Sequence, residues 1–176
     1  MSIRTDLALE SINAAKISEG ITKTERGKAF KITEINIAED KHGEKIGKKK
    51  GKYITLEGSV FSCFSKDFRE MCEEFSEELS QFVPDGKVLV VGLGNNDITP
   101  DALGPQTASK ILATRHLKEE LKDEDEFLTS LRPVGVLASG VLGQTGIETA
   151  ELIDGLMEKI DPQAIIAVDA LSLIHI

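Results

Sequence analysis

Two aspartates offer this sequence its clearest route to chemistry. Asp101 lies in the segment Gly92-Leu93-Gly94-Asn95-Asn96-Asp97-Ile98-Thr99-Pro100-Asp101-Ala102-Leu103-Gly104-Pro105, and Asp169 closes the apolar run Ala164-Ile165-Ile166-Ala167-Val168. Two carboxylates at close range cannot both ionise, so such a pair shares a proton. The ionised member draws a proton from water while the protonated one polarises a peptide carbonyl and then supplies a proton to the leaving amine. That is amide hydrolysis without a covalent intermediate. Asp101 is the candidate for the ionised partner, because a helix N-terminus favours an anion. A plainer reading stands beside this one: Thr99-Pro100-Asp101 has the grammar of a helix start, with threonine as cap and proline at the first helical position. On spacing alone, capping is the commoner reason for an acid at position 101. Asp169, next to Ala170 at the end of an apolar strand, must be hydrated, paired or protonated.

Other motifs carry less. Gly92-Leu93-Gly94 opens like a dinucleotide loop, but the third glycine of that fingerprint is replaced by Asp97 and no phosphate-loop lysine follows. Thr145 and Glu148 are spaced as a capping box, so Glu148 needs no chemical role. His42 falls in a basic loop, His175 at the terminus, and His116 beside Arg115 near the far end of a helix, where pairing with the helix dipole accounts for both. No Gly-x-Ser-x-Gly elbow occurs. Cys63 and Cys72 make neither a disulfide framework nor a zinc motif and read as small buried apolar residues. The lysines of 45–52 read as a solvated loop.

The elements that must position the aspartates follow from periodicity. Phe30–Ile37 alternates as a strand but slips phase at Glu34-Ile35, which predicts a bulge. A basic connection over Lys45–Lys52 leads to a second strand at Tyr53–Glu57, giving a hairpin. Phe64, Phe68, Met71, Cys72, Phe75, Leu79 and Phe82 recur at helical spacing. Pro84-Asp85-Gly86 then turns the chain into the continuous apolar run Lys87–Leu93, as expected of a parallel strand covered on both faces. A helix over Leu103–Leu121, an acidic linker over 122–126, a short strand near Pro133–Ala138, a helix with Ile147, Ala150, Ile153, Leu156, Met157 and Ile160 on one face, and the strand Ala164–Val168 complete the pattern. Repeated βα units imply an α/β fold with a mostly parallel sheet and helices on both faces, preceded by an N-terminal β-hairpin. Ligands bind outside the carboxyl ends of such strands, where Asp101, the Ser139–Thr149 segment and Asp169 all fall.

The chain has 176 residues, 40% of them hydrophobic and 29% charged, with a formal net charge of -9. One well-buried domain is the default at this size, and the acidity argues against direct nucleic-acid binding. No apolar run approaches the ~20 residues of a membrane helix and no signal-peptide core is visible, so no membrane partner and a cytoplasmic location are expected. Residues 1–28 read as a polar arm and 29–172 as a single α/β domain.

The strings Gly92-Leu93-Gly94-Asn95, Thr99-Pro100-Asp101-Ala102-Leu103-Gly104-Pro105, Thr114-Arg115-His116-Leu117, Gly140-Val141-Leu142-Gly143, Thr145-Gly146-Ile147-Glu148-Thr149 and Ala167-Val168-Asp169-Ala170-Leu171 closely resemble the germination protease family of spore-forming bacteria. The likeness extends to Ile3–Glu10 and to the basic hairpin Ile46–Glu57. The resemblance implies a phosphorylase/hydrolase-like three-layer architecture and an aspartic endopeptidase, unlike pepsin in fold, that initiates degradation of small acid-soluble spore proteins during germination. It places the catalytic aspartates at Asp101 and Asp169, with no cofactor. It also implies a zymogen processed just before the segment matching Ser2–Glu10, a homotetramer, and a location in the spore core. Family members continue past the second aspartate, so the α/β domain is expected to be C-terminally truncated, with 173–176 a non-native tail. Two alternatives remain open: a hydrogenase-maturation-like endopeptidase using a metal held by two acids and a histidine, and an inactive fragment whose acids only cap helices.

Overall fold

The computed structural model describes residues 20–59, 62, 64–117 and 126–170. Backbone packing divides the chain into two compact units, Met1–Phe82 and Val83–Ile176. Most of the arm expected at 1–28 lies outside the described residues, as do 122–125 of the acidic linker, Cys63 and the tail at 173–176; Glu126, the last residue expected in that linker, begins a helix.

The first unit is an antiparallel sheet in the order β1 (Ile21–Arg26), β2 (Lys31–Ile37), β3 (Gly51–Glu57). Its first strand falls inside the stretch assigned from the sequence to the polar arm; pairing with β2 along its whole length makes it a strand despite its polar side chains. The hairpin of β2 and β3 forms as expected, joined by the short helix α1 (Asp40–Gly43) and a 3-10 turn (Glu44–Ile46). The bulge expected at Glu34-Ile35 is absent: β2 pairs residue by residue with both neighbours. The phase slip has another cause. Phe30 and Ile32 pack against Met71, whereas Ile35 and Ile37 pack with Ile21, Ile46 and Tyr53. Even and odd residues of a strand point to opposite faces, so β2 buries first one face and then the other.

Helix α2 (Phe68–Ser80) supplies Met71 to that core. Phe64, expected on its apolar face, precedes the helix and is 94% exposed, and Phe75, Leu79 and Phe82 are only partly covered. Carboxylates do much of the docking. Glu74 accepts hydrogen bonds from the backbone N–H groups of Lys28, Ala29 and Phe30 at 2.8, 2.9 and 2.8 Å. Arg26 donates to Glu78 at 2.5 Å and to Glu34 at 2.8 Å, so one guanidinium ties β1 to both the helix and the central strand. The Phe30 N–H above all, followed by those of Lys28 and Ala29 against a desolvation penalty, holds the Glu74 carboxyl below its ordinary range.

The second unit carries a parallel sheet in the order β5 (Val134–Gly140), β4 (Val88–Leu93), β6 (Ala164–Val168). The apolar run read as a doubly covered strand is the central one, buried from Val88 to Gly92. Helices flank it. Leu89 and Val91 pack with Ile153, Leu156 and Ile160 of α6 (Thr149–Ile160), while Gly92 lies against Gly104 and Ala108 of α3 (Leu103–Lys110). Ile147 precedes α6 rather than joining its apolar face. Two short helices, α4 (Glu126–Ser130) and α5 (Leu142–Thr145), precede and follow β5.

The helix expected over Leu103–Leu121 ends at Lys110. Thr114 explains the early stop: its hydroxyl accepts from the Val134 N–H and donates to the Arg132 carbonyl, while the backbone N–H groups of Thr114 and Arg115 both donate to Val134 O. Those bonds commit 114–115 to the start of β5. Tertiary pairing thus overrides a continuing helical period. No helix among the described residues is long and apolar enough to cross a membrane.

Candidate active site

The carboxyl ends of β4, β5 and β6 define one edge of the parallel sheet, since Gly92 pairs with both Ala138 and Val168. After β4 the chain turns at Gly94, whose φ of 113° belongs to a region that side chains other than hydrogen rarely allow. A Cβ there would stand 2.1 Å from Asp101 O, so this glycine lets the loop close on itself. The Asn95 side chain accepts from the Asp97 N–H at 2.9 Å, and the Asn95 N–H donates to Asp101 Oδ2 at 2.6 Å.

Asp101 therefore does not cap α3. Thr99–Asp101 forms a separate 3-10 turn with Pro100 in its first positions, Ala102 stands at the N-cap of α3, and neither turn nor helix has a side-chain cap bond. The Asp101 carboxylate instead reaches back to the loop leaving β4. Thr99, read from the sequence as a cap, does not act as one. The Thr145 and Glu148 pairing is also displaced: Glu148 is itself the N-cap of α6, and its N–H is accepted by Glu151 at 3.1 Å.

Gly104 is the joint of this edge. A Cβ at 104 would come within 2.2 Å of Leu93 O and 2.4 Å of Val168 O, and one at Gly92 within 2.2 Å of Gly104 O. Only glycine permits α3 to begin this close to two strand ends. The approach sets the turn bearing Asp101 beside the residue that precedes Asp169. Asp169 is exposed, its Oδ1 accepting from the Ala170 N–H at 2.8 Å, and no hydrogen bond joins the two carboxylates directly.

The segment after β5 completes the edge. Register shifts by one between Gly92 and Leu93, so that Ser139 is the extra residue of a bulge; it is buried and accepts from Thr149 Oγ1 at 3.0 Å. Beyond it, Gln144 on α5 donates to Asn95 Oδ1 at 3.1 Å and to Asp97 Oδ2 at 3.3 Å. Sequence reading missed Gln144 and the backbone role of Asn95. The available signal was an amide residue following a glycine after each of two strands, Gly94-Asn95 and Gly143-Gln144. Ile98, Ile147 and, at the starts of α3 and α5, Leu103 and Leu142 are exposed in the segments that follow β4 and β5, giving the edge an apolar rim.

Arg115 and His116 lie at the opposite end of the sheet, beside the first residue of β5. Among the described residues, no group of three or more His, Cys, Asp or Glu side chains is placed to hold a metal ion.

With this geometry in view, comparison with known proteins is decisive. The sequence model of germination protease matches residues 3–176. The chain belongs to the germination protease family. It is 42% identical to a germination protease of Clostridium acetobutylicum across 97% of this chain and 56% of that protein. It is likewise 40% identical to one of Priestia megaterium, across 97% of this chain and 50% of that one, and 41% identical to one of Caldanaerobacter subterraneus, across 98% and 55%. The chain thus spans about half the length of the curated relatives it matches.

Proposed function

We propose that this chain carries the paired-carboxylate centre of a spore germination endopeptidase, with Asp101 and Asp169 as the pair. The observation that carries the reading is the contact of Gly104 with the carbonyls of Leu93 and Val168, since it sets the origins of both aspartate-bearing segments side by side. Asp101 is the ionised partner. The Asn95 N–H that it accepts at 2.6 Å is a charge-assisted bond, stronger to a carboxylate than to its neutral acid. In the reaction Asp101 takes a proton from water as the oxygen attacks the peptide carbonyl, and Asp169, protonated, donates to the carbonyl oxygen. Collapse of the tetrahedral species breaks the C–N bond as Asp169 passes its proton to the leaving amine, and the proton that Asp101 took from water restores the one shared by the pair, so that no acyl group is ever attached to the protein. The exposed apolar rim of Ile98, Leu103, Leu142 and Ile147 suits a peptide more than a sugar or a phosphate ester.

The substrates of this reading are small acid-soluble spore proteins, cut at the onset of germination in the spore core. A homotetrameric zymogen of aspartic type belongs to the same proposal. Its test is cleavage of a purified small acid-soluble spore protein by the chain, its Asp101→Asn and Asp169→Asn variants, and the chain with a chelator added. Each substitution is expected to lower the rate roughly 10²- to 10⁴-fold, the usual worth of a general acid or base, with the chelator without effect. Full activity in either variant overturns the pair, and chelator sensitivity replaces it with a metal-dependent peptidase. No cleavage by a folded, unsubstituted chain would show that these residues do not suffice for the activity.

A further inference from the structure

Gln144 stands outside the aspartate pair, on a different loop, and has no part in the hydrolytic steps above. Its bonds nevertheless have a direction that ordinary amide ambiguity does not blur. An ionised Asp97 carboxylate can only accept, so the group that Gln144 presents to Asp97 Oδ2 at 3.3 Å must be its NH2, and the same nitrogen reaches Asn95 Oδ1 at 3.1 Å. The backbone N–H of Asp97 can only donate, which fixes the atom it meets in the Asn95 side chain as the oxygen. Asn95 is therefore held by two donors on its side chain, and its own N–H is left pointing at Asp101 Oδ2.

We propose that Gln144 is a positioning residue for Asp101, acting through Asn95: the NH2 group of the β5 loop locks the β4 loop in the turn that aims the Asn95 N–H at the carboxylate. The inference rests on the catalytic reading of Asp101 for its effect on rate, and on hydrogen bonding alone for its effect on structure. The β4 loop is otherwise held by bonds within itself, from the Ile98 N–H to Asn95 O and from the Asp101 N–H to Ile98 O, and it is little buried. Asn96, Asp97, Ile98, Thr99 and Pro100 are all exposed, and Gly94 adds backbone freedom. A turn with so little burial needs a fixed partner to keep one conformation. The charged group that the Gln144 amide meets is Asp97, with Asp101 on the far side of Asn95, bonded to its N–H; Glu148 and Glu151 are the acids that follow on its own side.

Two substitutions separate positioning from mere packing. Gln144→Met keeps the length of the side chain and removes the donor; kcat is expected to fall roughly tenfold with KM little changed, because misaligning a reacting group acts on the transition state. Gln144→Glu removes the donor at neutral pH and sets a carboxylate against Asp97. Once protonated, the substituted side chain can donate again, so the ratio of its rate to that of the unsubstituted protein should recover as pH is lowered, whereas that of Gln144→Met should not. The structural half is read without activity, as faster amide hydrogen exchange at Asn95 in Gln144→Met than in the unsubstituted chain. Unchanged exchange at Asn95 overturns the inference, as does a pH-independent rate ratio for Gln144→Glu. If Asp101→Asn were fully active, the catalytic reading would fall while exchange at Asn95 still decided whether Gln144 holds the loop.

Discussion

The two units bring a helix onto a sheet by opposite means. In the first, α2 docks through charge: Glu74 accepts three backbone N–H groups from the β1–β2 turn, and Glu78 takes the Arg26 guanidinium, while Phe75, Leu79 and Phe82 stay partly exposed. In the second, α3 meets β4 and β6 through absence of side chain, Gly104 lying against Leu93 and Val168 and Gly92 against Gly104. A carboxylate clasp depends on ionisation and screening, whereas a glycine contact depends only on shape. The unit that bears the aspartates is thus the one whose joint is indifferent to pH and salt.

The sharpest attempt to break that contrast is Gly104→Ala. The added methyl meets backbone atoms of two strands that cannot yield without moving the sheet, so a loss of about 3 kcal/mol, the upper part of the overpacking range, is expected in urea unfolding. The same loss should appear at low and at neutral pH. A nearly neutral Gly104→Ala would show that the joint is looser than its geometry.

Glu74→Ala comes next. It strands the N–H groups of Ala29 and Phe30, which are partly buried, and should cost about 2 kcal/mol, within the range for hydrogen bonds to charged groups after allowance for solvent. The sign of its pH dependence is fixed. Because the folded-state pKa of Glu74 is depressed, its contribution is complete above the unfolded value and is lost as pH falls through the folded one. The difference between Glu74→Ala and the unsubstituted chain, followed by urea titrations from neutral to strongly acid pH, should therefore shrink on acidification. A gap that stayed constant would remove charge from the account of α2 docking.

Arg26→Ala should cost less, about 1 kcal/mol, because the guanidinium is partly solvated even though Glu78 is buried and keeps a bond from Gln81. Added salt should weaken the unsubstituted chain more than the variant. The smallest effect belongs to Arg69→Ala, which breaks an exposed pair with Glu73 one helical turn away; its unfolding midpoint should be indistinguishable from that of the unsubstituted chain.

What could be read in advance follows the same division. β4 and β6 were legible because short continuous apolar runs bounded by turn residues suit a parallel strand and little else. The phase slip in β2 was visible but misassigned, since a strand buried on alternate faces and a bulged strand leave the same trace in sequence. The end of α3 was not legible at all, because Thr114 and Arg115 are taken by Val134, twenty and nineteen residues on. At the candidate site, Asp101 and Asp169 could be named from strand ends and family likeness. The bond from Asn95, the displacement of Asp101 from capping and the tie from Gln144 could not, because each links residues across loops with no period to announce them.

The Gly92–Gly104 contact has a consequence for how the edge responds to disturbance. A joint between side chains can relax by exchanging rotamers, but this one has none to exchange, so its spacing has no soft mode short of moving the sheet or helix as a whole. Warming, or a substitution elsewhere in the unit, should leave the span between the ends of β4, β6 and α3 almost constant until the unit gives way together. The edge behaves as a stop, not a spring.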